Sequence, residues 1–137
     1  MHDIGKTGVA DRILNKAGPL TSREWNEMRR HPQYAYEMLC PISYLRPALE
    51  IPYEHLERWE GSGYPHGLKG RHITLAARIS ALADVWDALL SDRPYREALP
   101  MKKVVKLTRQ HAGSYFDPEL ASTFLGMMGE APLRTVS

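Results

Sequence analysis

Residues 75–90 read Leu-Ala-Ala-Arg-Ile-Ser-Ala-Leu-Ala-Asp-Val-Trp-Asp-Ala-Leu-Leu, and this stretch decides the fold class. Apolar side chains occupy most of the circumference of a 3.6-residue helix, which predicts a largely buried helix over Leu75–Leu90 with Thr74 as its cap. Asp84 sits in the middle of it, and Ala81, Ala83 and Ala88 leave room beside it for another group. A buried carboxylate is costly unless it is paired, hydrogen-bonded or bound to a metal. Arg78 on the same helix is the plainest candidate for an ion-pair partner.

Working outward, the same periodicity recurs and no stretch alternates as a strand would. Downstream, Met101–His111 and Pro118–Met128 read as helices, the second with Asp117 as cap and Pro118 at its first position. Upstream, residues 61–70 are a loop by composition. Tyr44–Trp59 is helical in pattern but interrupted by Pro47 and Pro52, which predicts a kink or a late start. Thr21-Ser22-Arg23-Glu24 is a capping box for a helix running to about Arg30, since Pro32 disfavours helical geometry at His31. Pro32 then opens a helix over Gln33–Leu39, and a short helix is expected over Val9–Asn15, ended by Ala17-Gly18-Pro19. The expectation is an all-α helical bundle with one long ordered loop, in a single domain.

Composition bounds the function. The 137 residues are 43% hydrophobic and 25% charged, enough for a real core and without low-complexity tracts. A net charge of +2 is compatible with anionic ligands but too small for a DNA-binding surface. The single cysteine, Cys40, excludes an internal disulfide framework and fits a reducing cytoplasm, where it reads as a small buried hydrophobe. No apolar run approaches membrane-spanning length, and the N-terminus is a charged His-Asp-x-x-Lys run.

Residues able to carry chemistry gather at few places: His2, Asp3 and Lys6; His31 at a helix junction; His55 and Glu57 near the end of the next helix; and Asp84. Imidazole and carboxylate converging from separate helices make the N/O donor set that suits iron, manganese or zinc. Each also has an ordinary explanation. His31 is placed as a surface helix end is, His55 as a half-buried histidine is, and Gly61–Pro65 as a glycine-shaped loop is. Arg93 and Arg96 suit a solvated pair near a helix C-terminus, where cations are favoured. His66, His72 and His111 are left with such explanations.

The order of these elements is more specific than any one of them. His2-Asp3-Ile4-Gly5-Lys6, Gly18-Pro19-Leu20-Thr21, His31-Pro32, Glu57-Arg58-Trp59-Glu60-Gly61-Ser62-Gly63-Tyr64-Pro65, Ala76-Ala77-Arg78-Ile79, Asp84-Val85-Trp86-Asp87-Ala88-Leu89, Ser91-Asp92-Arg93-Pro94-Tyr95-Arg96 and Phe116-Asp117-Pro118-Glu119-Leu120 follow one another along the chain. In sequence and spacing they resemble the HD-GYP family over essentially the whole chain. That family is an all-α subset of the HD superfamily, usually joined to a receiver or other sensory domain. It cleaves cyclic di-GMP to pGpG, and often onward to GMP, with two or three iron or manganese ions.

Carried over by residue, the resemblance implies that His2, His31, His55 and Asp84 are metal ligands and that Asp3 is a carboxylate bridging two metals. It implies that Lys6 sits by the scissile phosphate and that Arg93 and Arg96 hold the ligand's phosphates. Gly61, Ser62, Gly63, Tyr64 and Pro65 would shape the pocket rim, and the family links this loop to contacts with diguanylate cyclase (GGDEF) domains. The implied chemistry is metal-assisted in-line hydrolysis of a phosphodiester. Three features depart from the family pattern: Leu56 stands where a second adjacent histidine is usual, Glu60 replaces an aspartate, and the chain begins one residue before His2. The last reads as a partial HD-GYP domain over residues 1–137, lacking the preceding helices. Two functional classes follow. One is a metal-dependent cyclic di-GMP phosphodiesterase. The other is a catalytically degenerate remnant that binds the dinucleotide or a signalling partner.

Overall fold

The structure is a computed structural model that describes residues 2–93 and 96–130. Among these residues the regular structure is all helical, with no β-strand and only two isolated bridges, Arg93–Arg96 and Ala112–Phe116. The α-helices are α1 (Asp11–Leu14), α2 (Ser22–Met28), α3 (His31–Leu39), α4 (Glu50–Glu54), α5 (Leu75–Leu90), α6 (Met101–His111) and α7 (Pro118–Met127). Three 3-10 segments, Ile4–Gly8, Ser43–Ala48 and Gly70–His72, join them. No described helix is long and apolar enough to cross a membrane.

The clearest local signals hold. Thr21 accepts from the Glu24 backbone N–H while the Glu24 carboxylate accepts from that of Thr21, so two orphan donors at the start of α2 are satisfied reciprocally. Asp117 accepts from Glu119 and Leu120 and fixes the start of α7, where Pro118 needs no N–H partner.

Other expectations are corrected. The segment expected over Val9–Asn15 is a single turn, α1, preceded by the 3-10 turn at Ile4–Gly8. His31 is itself helical and opens α3, because Pro32 falls in the first turn, where the chain needs no intrahelical N–H. Tyr44–Trp59 does start late, as a 3-10 turn followed by the five-residue α4. Its last residues leave the helix, and the Trp59 and Glu60 N–H groups donate to the Tyr115 and Ser114 carbonyls at 3.1 and 2.8 Å. Thr74 occupies the cap position of α5, but its hydroxyl is buried with no hydrogen-bond partner among the described residues; its N–H donates to the Glu54 carboxylate at 2.9 Å.

The largest correction concerns α5 itself. Only Ala77, Leu82 and Trp86 are buried, while Leu75, Ile79 and Val85 are exposed. The helix packs through one stripe: Trp86 joins Val104, Val105 and Leu125, and Leu82 joins Phe116 and Ala121. Arg78 pairs with the buried Asp117 carboxylate at the start of α7, at 2.5 Å, so it is not the partner of Asp84. Through this stripe one part of the core lies among α5, α6 and α7, and a second set of buried residues (Val9, Ile13, Ala35, Leu39 and Leu49) lies in the N-terminal half. Asp84 stands on the flank of α5 with its side chain 41% exposed.

Candidate metal centre

The centre is built where the N-terminal 3-10 turn meets α3, α4 and α5. Gly5 permits the first of these contacts. A Cβ at this position would lie 1.8 Å from the His31 carbonyl oxygen, so only glycine lets the turn lie directly on α3. That contact sets Asp3 beside His31.

His31 and His55 are oriented by the same device. Each ring points its Nδ1 at the carbonyl three residues earlier: Met28 at 2.7 Å for His31 and Pro52 at 3.2 Å for His55. A carbonyl only accepts, so Nδ1 carries the proton in the neutral ring and Nε2 presents a lone pair. Both rings are buried, at 3% and 4% exposure. Burial pushes the His31 pKa down and favours this neutral form. The two Nε2 atoms face Asp3 Oδ1, at 3.9 Å from His31 and 3.8 Å from His55.

The other Asp3 oxygen faces different partners. Oδ2 is 2.7 Å from Lys6 Nζ and 3.6 Å from His2 Nε2, and His2 Nε2 is in turn 3.3 Å from Asp84 Oδ1. Asp3 thus lies between two donor groups, His31 with His55 on one side and His2 with Asp84 on the other. A His55 ring protonated on both nitrogens, and then the Lys6 ammonium, hold the Asp3 carboxyl well below the usual carboxylate range, against its partial burial. Asp3 is therefore an anion at neutral pH.

The fit to a cation rests on an orphaned atom. His31 Nε2 is buried and makes no hydrogen bond among the described residues. Leaving such a group unsatisfied costs about 1–3 kcal/mol. A neutral Nε2 lone pair also repels the carboxylate oxygen it faces, and a cation between them removes both penalties. Two donors each about 2.1 Å from one ion lie at most about 4.2 Å apart, and the 3.8 and 3.9 Å separations fall inside that limit. Asp3, His31 and His55 offer donor atoms all within 4.8 Å of one another. The imidazole and carboxylate set suits a divalent transition ion.

Loop 61–69 closes one side. Tyr64 presents its ring edge to His31, with centroids 6.5 Å apart, and Arg29 lies over the same ring at 5.6 Å. Gly63 sits where a Cβ would come within 2.4–2.5 Å of the Arg58 nitrogen, the Glu57 Cα and the Leu56 oxygen. The loop is gripped from below by Glu57, which is 3% exposed and accepts from the His66 and Leu68 N–H groups at 2.7 and 2.9 Å. Its neighbours differ in direction. Ser62 faces solvent and donates to Glu60, and the Tyr64–Pro65 peptide is cis.

Of the expected site residues, the structure brings together His2, Asp3, Lys6, His31, His55, Asp84 and Tyr64. His55 caps the C-terminus of α4, and Glu57 lies beyond the helix. Arg93 and Arg96 are exposed past the end of α5, with Pro94 and Tyr95 outside the described residues. The Arg96 guanidinium donates to the Ala88 carbonyl, one helical turn beyond Asp84. Sequence reasoning assigned nothing to the Glu57 grip or to Gly5. The sequence marks Glu57 as a chemistry-bearing carboxylate that opens the motif running to Pro65, without showing what it holds, and Gly5 only as a glycine between Asp3 and Lys6.

The family model for the HD domain matches residues 1–120, a span that contains every residue of this centre. The chain belongs to the HD domain family. Within it, the ordered motifs from His2 to the Gly61–Pro65 loop mark the HD-GYP branch. Relatives of this HD domain include the cyclic di-GMP phosphodiesterase response regulator RpfG of Xanthomonas campestris pv. campestris, 43% identical over 99% of this chain and 36% of that protein. A cyclic di-GMP phosphodiesterase of Thermotoga maritima is 40% identical over 95% of this chain and 36% of that protein. The 3'3'-cGAMP-specific phosphodiesterase 3 of Vibrio cholerae is 38% identical over 87% of this chain and 26% of that protein. The chain thus spans about a third of the length of such relatives. A crystal structure of a cyclic GMP-AMP specific phosphodiesterase of V. cholerae superposes with a TM-score of 0.62 at 17% identity, covering 91% of this chain and 33% of that one, which shows a shared fold.

Proposed function

We propose that this HD domain is the catalytic part of a metal-dependent phosphodiesterase acting in bacterial second-messenger signalling, that its substrate is cyclic di-GMP, and that its products are pGpG and GMP. The observation that carries the proposal is the position of Asp3, whose two oxygens face separate donor groups. His31, His55 and Asp3 would hold one divalent ion, and His2, Asp84 and the second Asp3 oxygen another. The N/O donors point to iron or manganese, two or three ions in all. Bound there, the ions would supply positive charge beside the phosphoryl oxygens and acidify water. The names of the relatives support a cyclic dinucleotide as substrate.

The chain's own residues divide the remaining work. Lys6 spends one N–H on Asp3 and keeps two donors for a phosphoryl oxygen, where they would offset charge developing in the transition state. The carbonyls of Met28 and Pro52 hold the two rings in the ligating tautomer. Tyr64 screens the His31 side from water. Arg93 and Arg96 would receive the distal phosphate, with Arg96 exchanging the Ala88 carbonyl for it. The Gly61–Pro65 loop is the surface proposed to meet a diguanylate cyclase (GGDEF) domain, and a receiver domain is the proposed regulatory neighbour. A cytoplasmic location belongs to the same reading, since the substrate is an intracellular messenger.

Incubation of manganese- or iron-loaded protein with cyclic di-GMP, with chromatography of the products, tests the proposal. Chelator-sensitive release of pGpG or GMP is expected. Metal-loaded protein that binds the dinucleotide without turnover would refute hydrolysis and leave the binding-only reading. Leu56, which stands between the ligand His55 and the loop-gripping Glu57, favours that second reading.

A further inference from the structure

A cavity of about 320 Å³ opens from the metal centre between α5 and α6. His55, Asp84 and Tyr64 line one part of it, and Val85, Leu89 and Phe116 give it apolar walls. Another part of its lining is a three-layer stack that the proposed hydrolysis does not use. The Arg58 guanidinium carbon lies 4.1 Å from the centre of the Tyr115 ring, and Tyr115 stacks on His111 with centroids 4.4 Å apart and planes at 13°. The stack is fastened at its base. Trp59 and Glu60 donate to the Tyr115 and Ser114 carbonyls, and Tyr115 N–H and the Ser114 hydroxyl both donate to the His111 carbonyl. Arg58 itself lines the cavity, and no carboxylate pairs with it among the described residues.

We infer that Arg58, held flat by Tyr115 and His111, is a specificity-determining residue that reads the O6/N7 edge of a guanine base. The inference rests on the cyclic dinucleotide reading above and names its base preference. A guanidinium whose face is covered by an aromatic ring presents its donors in one plane, which matches two acceptors on the edge of a purine. The apolar walls favour a ring over a phosphate, which would shed hydration against aliphatic side chains. The volume falls in the range of small-ligand pockets and suits one base with its sugar. Adenine is rejected because its N6 amino group is a donor and would face the Arg58 donors.

Calorimetry of the metal-loaded protein with GMP, IMP and AMP tests this without requiring turnover. All three carry the same phosphate, so differences report the base. GMP and IMP, which share O6 and N7, are expected to bind about tenfold more tightly than AMP. Arg58→Lys keeps the charge but not the fork and should abolish the preference. Tyr115→Leu should weaken all three nucleotides and reduce the preference, with helicity and metal content as in the parent. Equal binding of GMP and AMP by the parent overturns the inference, and so does an unchanged preference in Arg58→Lys. Loss of cyclic di-GMP turnover with the GMP preference intact would refute the hydrolase reading and leave this one standing.

Discussion

Glu57 offers the most quantitative test of how the loop beside the metal centre is held. Its carboxylate, 3% exposed, accepts the His66 and Leu68 N–H groups at 2.7 and 2.9 Å. Hydrogen bonds to an ionised acceptor each contribute about 1.5–3 kcal/mol net. Glu57→Gln preserves the shape but leaves one neutral acceptor and sets an NH₂ against the other backbone donor. One charge-assisted bond is lost, the other falls to roughly 1 kcal/mol, and one part-buried N–H loses its partner. Taken at the low end of each range, the sum is a loss of about 3 kcal/mol. For a domain of this size, near 2.1 cal/mol/K of unfolding entropy per residue, that loss lowers Tm by about 10 °C. Calorimetry reads the global part, and hydrogen exchange at the His66 and Leu68 amides reads local opening. A shift below about 2 °C with unchanged protection of those amides would refute the assignment of Glu57 as the anchor of the loop.

Other consequences are equally checkable. Gly5→Ala places a methyl group against the His31 carbonyl and Gly63→Ala places one against the 56–58 backbone, so each should cost more than about 2 kcal/mol in denaturant unfolding, with Gly5→Ala also lowering bound metal. The Lys16 ammonium and the Thr21 cap push Glu24 down to about 2 from 4.5; its stabilising contribution is complete above pH 4.5 and is lost as pH falls toward 2, and an NMR titration of Lys16→Ala should show the Glu24 midpoint rising. Burial lowers the His31 pKa, so the metal-free protein loses stability as pH falls below about 6.5, where the unfolded state takes up the proton first; a His31→Gln variant should show a flatter pH profile in chemical denaturation. Arg78→Ala strands the buried Asp117 carboxylate, which keeps only its two capping N–H groups, and should cost about 3 kcal/mol in the same assay.

What the sequence disclosed and what it withheld divide along the range of the interactions. The α2 capping box, the Asp117-Pro118 start of α7 and the span Leu75–Leu90 are set by neighbours within four residues, and they are read correctly. The late helix start after Pro47 is equally local. Burial is not local. Asp84 lies on a helix apolar nearly all round, yet only the Leu82 and Trp86 stripe meets α6 and α7, and this leaves Asp84 on an accessible flank. The convergence of Asp3 on His31 and His55 depends on the close contact at Gly5, which a linear reading shows only as one more glycine. The Arg58–Tyr115–His111 stack joins residues more than fifty apart and has no linear signature.

Asp3 is the residue on which metal binding is proposed to depend. Elemental analysis after dialysis against manganese, comparing the parent with Asp3→Ala, measures this directly. At least one ion per chain is predicted for the parent, and less than a tenth of that for the variant at unchanged helicity. Equal metal content in the two proteins would contradict it.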